Sequence, residues 1–274
     1  METPLQLSVG VVLYRTPPED LERCLRAFEL AARRLPAVRI ELVLRDQSPA
    51  PELREAVKEG PTVRYLHAGE NRGFGAGQNA LAQEAFSQGA AAHLCLNPDA
   101  ALHPDALANL WRAFTRQPGV GLLEALQFPD EHAKPYDRDT FDTPWCSGCC
   151  LLIPRATFER TRGFDERFFM YGEDVDLSWR VRAAGLACRV VPDALAFHHV
   201  GDRAPEVARH AMLLRASALL GAKYGDRAYV DFCLDDLRTL HQETPRLPVF
   251  DAPTPEQRAV ADFSHRFAFA ETRW

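Results

Sequence analysis

"LSVGVVLYRTPPEDLERCLRAFELAARRLPAVRIELVLRD", residues 7–46, decides the fold. It opens on a Val- and Leu-rich run at 7–14, continues through an amphipathic segment at 18–34, and closes on a second apolar run at 40–46. Short apolar runs joined by an amphipathic helix predict a right-handed βαβ unit, because a parallel strand buried on both faces needs a crossover lying against the sheet. "VRYLHAG" (63–69) and "AHLCLNPDA" (92–100) repeat the strand signal, and "PELREAVKEG" (51–60) and "NALAQEAFSQGA" (79–90) read as helices between them. The expected fold class is α/β, a Rossmann-like, mostly parallel central sheet flanked by helices, with residues 1–100 as a nucleotide-binding half.

Beyond residue 100 the alternation is broken by a polar, proline-bearing loop, "PDEHAKPYDRDTFDTP" (129–144). Strands are expected again at "WCSGCCLLIPR" (145–155) and "ACRVVPDALAFHHVG" (187–201), followed by a helical region from about 204 to 240. A proline-rich tail, "ETPRLPVFDAPTPEQ" (243–257), is expected to wrap over the body. The division read from this is a domain over 1–203, in halves of 1–100 and 101–203, with a helical extension (204–274) packed on it.

Composition narrows the function. The 274 residues are 46% apolar, enough for a substantial core, and the net charge of −6 is mixed in sign along the chain, which argues against a nucleic-acid partner. No apolar stretch approaches the roughly 18 residues of a membrane span, and "METPLQLSVG" lacks signal-peptide regions, so the expected location is the cytoplasm. Seven cysteines fit a reducing compartment. The CxxC spacing in "CSGCC" (146–150) has no second Cys or His pair, so it reads as buried strand rather than a metal site.

Ligands of open parallel sheets bind beyond the carboxyl ends of the strands. The polar residues there are Tyr14, Asp46, Asn71 with Gly73, and Asn97 with Asp99. "ENRGFGAGQN" (70–79) fails as a dinucleotide fingerprint, since the third glycine would fall at Gln78. Its glycines instead suit a close approach of backbone to a ligand or a strand. Asn97 and Asp99 are two apart, so in extended chain both face one side and offer hard oxygens to Mg²⁺ or Mn²⁺. They fit equally a proline turn with Asp99 capping "PDALANLW".

"FFMYGEDVDLSWR" (168–180) crowds three carboxylates behind an aromatic run. If a helix starts near Glu173, its stripe of Leu177, Val181 and Ala184 carries Asp174 inward, with Glu173 at the edge. Asp176, four before Arg180, is expected as a solvated surface ion pair. An inward carboxylate at a helix start is held ionised by the backbone amides while apolar neighbours raise its proton affinity, which suits a general base. "FHHVGD" (197–202) ends a strand with two histidines, only one of which can face the crevice.

Taken in order from about 7 to 201, "VVLYRTP", "VLRDQSP", "ENRGFGAGQN", "LNPDA", "WCSGCCLLIPR", "FDERFFMYGEDVDLSWR" and "HHVG" resemble family 2 of the inverting glycosyltransferases, of GT-A fold, and its rhamnosyltransferase-like branch. The resemblance implies a nucleotide-sugar site of Tyr14, Asp46, Asn71, Gly73, Asn79 and Asn97, a metal at Asp99 and His199, and Asp174 with Glu173 as the catalytic acids. Trp145, Gly148 and Tyr171 would meet the acceptor, with the aromatic neighbours as a sugar-binding wall. Two departures stand out: Asn97 replaces the first acid of D-x-D, and "RDQS" the usual D-N-x-S. The implied reaction moves a sugar from dTDP-rhamnose or a UDP-sugar to a hydroxyl of a saccharide or lipid-linked acceptor of cell-envelope polysaccharide. A lipid-linked acceptor would bring the chain to the inner membrane face, where the helix at 206–225 could touch the surface, although packing on the core is the reading preferred for it. A nucleotide-sugar-binding protein without catalysis is the competing reading, which donor hydrolysis or transfer with Mn²⁺ would exclude.

Overall fold

The computed structural model describes residues 6–198 and 207–264. Their elements run β1 (Gln6–Leu13), α1 (Pro18–Arg33), β2 (Arg39–Asp46), β3 (Val63–His67), α2 (Phe74–Ser87), β4 (Ala92–Leu96), β5 (Ala101–Leu102), α3 (Ala106–Arg116) and β6 (Val120–Pro129). Then come β7 (Cys150–Pro154), α4 (Arg155–Thr161), α5 (Glu173–Ala183), β8 (Ala187–His198), α6 (Val207–Tyr224), α7 (Arg227–Thr239) and α8 (Pro255–Val260).

The described strands form one sheet in the order β3-β2-β1-β4-β7-β6-β8-β5. Its first four strands are parallel, as the βαβ reading requires, but β7 is antiparallel to both β4 and β6. The second half of the sheet is therefore mixed. Alternate residues sort to two apolar layers: Leu7, Val9, Val11 and Leu13 pack with Leu21, Phe28, Leu107 and Leu110 of α1 and α3, while Leu151 and Ile153 meet Phe86, Phe158, Leu177 and Val181 of α2, α4 and α5. Each fully buried Leu or Val contributes on the order of 2 kcal/mol to holding these layers.

Three expectations are corrected. The helix expected at 51–60 is a single 3-10 turn, Arg54–Ala56. A helix that short needs tertiary support; instead Val57 turns extended (φ −100°, ψ 118°) and the Glu59 carboxylate accepts the Tyr65 amide at 2.8 Å. Next, the ten-residue β6 was passed over, because "VGLLEALQFP" interrupts its apolar run with Glu124. Finally, α5 is not amphipathic. Val175, Leu177, Trp179 and Val181 are all buried, since the sheet covers one side and α6 the other, where Trp179 packs with Leu220 and Tyr224.

Asp176 consequently is not solvated. It is fully buried, with Oδ2 accepting from Arg180 Nε at 2.8 Å and Oδ1 lying 2.5 Å from Lys223 Nζ and 3.1 Å from the Tyr224 hydroxyl. Lys223 also reaches Asp165 Oδ2 at 2.7 Å. Burial would raise Asp165, but Arg167 and Lys223 hold it below the usual carboxylate range. Spacing within α5 could reveal Arg180 but not a cation 47 residues downstream.

Candidate active site

The carboxyl ends of β1, β2 and β4, the start of β7 and the end of β8 lie along one edge of the sheet. Tyr14, just past β1, is 42% exposed, its ring 5.4 Å from the Arg15 guanidinium. Asp46 ends β2 buried, one oxygen accepting the Ser48 amide at 2.8 Å and the other the Tyr65 hydroxyl. It shapes the turn from within rather than standing open to a base. Gln47, which the sequence reading did not single out, clamps the next loop: Nε2 donates to the Gly73 carbonyl at 3.0 Å and Oε1 accepts the Arg72 amide at 3.2 Å.

That loop is built by Asn71 and Gly73. The Asn71 side chain accepts the Gly73 amide at 3.0 Å, and Gly73 sits at φ +88° where a Cβ would fall 2.0 Å from the Phe169 carbonyl. The Phe74 amide then donates to that same carbonyl at 3.0 Å, docking the loop on the segment that leads into α5. Helix α2 starts at Phe74, five residues earlier than the sequence pattern suggested. Gln78, where a dinucleotide fold would have glycine, donates to the Gly10 carbonyl at 3.1 Å and faces His93 Nε2 at 3.0 Å. Asn79, expected at the nucleotide, is buried and engaged within the chain: it accepts the Phe164 amide at 2.8 Å and donates to the Phe164 carbonyl at 2.9 Å and to Glu166 at 3.1 Å.

The two expected catalytic acids separate. Glu173 is 4% exposed, and Oε2 has no hydrogen-bond partner among the described residues, so burial first and Asp174 second raise its proton affinity well above the usual range. Asp174 is half-buried at the first turn of α5, its oxygens accepting the amides of Gly148 at 2.9 Å and Val175 at 2.8 Å. Burial raises it too, opposed by those two amides and by Lys134. Gly148 is the expected glycine because a Cβ would press on the Phe74 ring at 3.0 Å. The next residue, Cys149, accepts the Asn97 amide at 2.8 Å, so one short segment touches Asp174 with one residue and the β4 exit with the next.

Asp99 Oδ1 lies 3.6 Å from His198 Nε2. On β8, Ala194, Ala196 and His198 are buried while Leu195 and Phe197 are exposed, so strand parity carries His198 inward. His199, the expected ligand, lies outside the described residues. One carboxylate oxygen and one imidazole nitrogen at this separation can share one divalent ion, and among the described residues no cluster of three or more Asp, Glu, His or Cys side chains suited to a metal exists. The residues present thus fit an ion held partly by protein and partly by substrate phosphate and water, as Mg²⁺ commonly is.

The aromatics around Asp174 are unequally exposed. Trp145 is 3% exposed, with Lys134 Nζ 4.3 Å over its ring and His132 edge-on at 4.7 Å, and Phe168 is core. Tyr171 is half-buried at φ +69°, and Phe169 is the open ring at 44% exposure.

The model of glycosyl transferase family 2 matches residues 8–175. An N-acetylglucosaminyl-diphospho-decaprenol L-rhamnosyltransferase of Mycobacterium tuberculosis is 32% identical over 70% of this chain and 76% of its own length. The rhamnosyltransferase WbbL of Escherichia coli is 42% identical over 20% of this chain and 21% of its own. Among solved structures, a mannosyltransferase of Pyrobaculum calidifontis, in complex with GDP-Man and Mn²⁺, superposes with a TM-score of 0.63 at 17% identity, covering 86% of this chain and 74% of that one.

Proposed function

The chain belongs to glycosyl transferase family 2, in its rhamnosyltransferase-like part and with the GT-A fold, and we propose that it performs an inverting transfer with Asp174 as base. In this reading the donor is dTDP-rhamnose or a UDP-sugar, and the acceptor is a hydroxyl of a saccharide or a lipid-linked saccharide. The M. tuberculosis relative is named for a lipid-diphosphate acceptor, which favours the lipid-linked form. No helix among the described residues is long and apolar enough to cross a membrane.

The observation that carries the reading is the bridge at Gly148–Cys149, which ties Asp174 to the strand end that leads to Asp99. A base and a diphosphate-binding residue must lie on either side of one anomeric carbon, because the acceptor hydroxyl attacks opposite the leaving group. Asp174 takes the hydroxyl proton as the new bond forms. Its raised proton affinity favours that transfer, and the Gly148 and Val175 amides keep the carboxylate aimed while it stays ionised. Asp99 and His198 would hold Mg²⁺ or Mn²⁺, which when bound supplies positive charge to a departing diphosphate. Asn71, Gly73 and Gln47 shape the loop beside it, and Phe169 offers an exposed face for a sugar ring.

Asp174→Asn is expected to lower transfer about 10³-fold while thermal-shift titration with the nucleotide sugar is nearly unchanged. Turnover retained in that variant would overturn the assignment of the base.

A further inference from the structure

β6, the strand that sequence reading passed over, carries a line of buried polar side chains into the site. Lys134 Nζ pairs with Glu124 Oε2 and also donates to the Trp145 carbonyl at 2.9 Å. Gln127 Nε2 donates to Glu124 Oε1 at 3.1 Å, and Gln127 Oε1 lies 3.0 Å from His198 Nδ1. His198 Nε2 in turn faces Asp99. Glu124, Gln127 and His198 are each at most 5% exposed, and the Lys134 side chain 6%. In a regular strand, side chains three apart point to opposite faces. Here the β6–β8 pairing jumps from Ala125–Val191 to Leu126–Leu195, and this irregularity accompanies the meeting of Glu124 with Gln127.

The order of these groups fixes their polarity. A carboxylate only accepts, so Gln127 must turn its NH₂ toward Glu124 and its carbonyl toward the histidine. Lys134 neutralises the same carboxylate, so Glu124 has a buried counter-charge. A carbonyl oxygen facing Nδ1 calls for the proton there; Asp99 on the Nε2 side is an acceptor too, so the neutral ring turns a bare Nε2 toward Asp99 only with a cation between them. We infer that Glu124 and Gln127, anchored by Lys134, are positioning residues that fix His198 as the Nδ1–H tautomer and present Nε2 to a divalent cation shared with Asp99. The inference rests on the functional reading above, because the cation is what lets two acceptors flank a neutral ring. The anchor lies on the 130–144 segment beside Trp145, so the acceptor-side loop and the metal-side histidine share one hydrogen-bonded line.

The test is long-range ¹⁵N–¹H correlation spectroscopy of histidine-labelled protein, at alkaline pH where imidazole is neutral, with His198→Gln identifying the signal. With Mg²⁺ and dTDP or UDP present, the expected spectrum has a protonated Nδ1 and a bare Nε2 in the wild type. Gln127→Leu and the shape-conserving Glu124→Gln are expected to mix the tautomers and to weaken binding of Mn²⁺ in the presence of the same nucleotide, read by electron paramagnetic resonance, about 10-fold or more. A protonated Nε2 in the wild type overturns the inference whatever the variants do. So does an unchanged tautomer in folded Gln127→Leu. A bare Nε2 that persists with no divalent ion present would end the metal reading and leave the tautomer relay standing, and no Mn²⁺ bound to the wild type with the nucleotide present would overturn the inference.

Discussion

The β1–β4 half of the sheet and the half that carries Asp174 hold their polar groups by different means. Around β1–β4 the buried polar side chains are largely neutral amides turned on backbone groups: Gln47 on Arg72 and Gly73, Gln78 on Gly10, Asn79 on Phe164. Around α5 they are buried charges neutralised by distant cations: Asp176 and Asp165 by Lys223, Glu124 by Lys134. Breaking an amide-to-backbone bond leaves neutral groups unpaired, whereas a buried carboxylate without its cation is left with an uncompensated charge in low dielectric. The second half should therefore be the more fragile to single substitutions.

Lys223→Met is the strongest way to break that contrast. It removes the cation from two carboxylates, one of them fully buried, and should cost about 3 kcal/mol in denaturant unfolding. A loss no larger than that of a surface ion pair would show that Arg180 alone suffices for Asp176.

Asn79→Ala is the matching change in the β1–β4 half. It strands the Phe164 amide and carbonyl and should cost about 2 kcal/mol, less than Lys223→Met. Equal losses would erase the distinction between the halves.

pH sharpens the comparison, because His93 in one half and Glu173 in the other are buried groups that resist charging, with opposite sign. Burial holds His93 down to about 3 from 6.5, so the unfolded chain takes up a proton that the folded chain refuses. Stability from this group is whole above about 6.5 and lost as pH falls toward 3, at no more than about 1.4 kcal/mol per pH unit. Glu173, raised above its ordinary 4.5, keeps a proton that the unfolded chain releases. Its contribution is whole below about 4.5 and lost as pH rises through the elevated value. Chemical denaturation across pH should show His93→Gln flattening the acid limb and Glu173→Gln gaining stability at alkaline pH. An unchanged alkaline limb in the second variant would mean that the carboxyl is solvated.

What the sequence showed clearly was whatever repeats within a few residues. The spacing of Leu7, Val9, Val11 and Leu13 located a parallel strand, and the order of the motifs identified the family. The position of Asp174 in the first turn of a helix was legible for the same reason, since a helix start is a local event. Its neighbours were less legible. Asp176 has the spacing of a surface pair with Arg180, yet α6 covers it, and Trp145 is an aromatic at an acceptor edge whose face a lysine occupies.

The sequence by itself determined the layered α/β core, the family and the edge of the sheet where polar residues gather, because apolar periodicity and turn chemistry are written at spacings of two to four residues. Only the tertiary structure decided which carboxylates are buried with a cation, which of Glu173 and Asp174 keeps its amide partners, and that His198 turns toward Asp99. Those outcomes depend on strand register and on helices brought from far along the chain. Charge pairing acts through space, so no local pattern carries it.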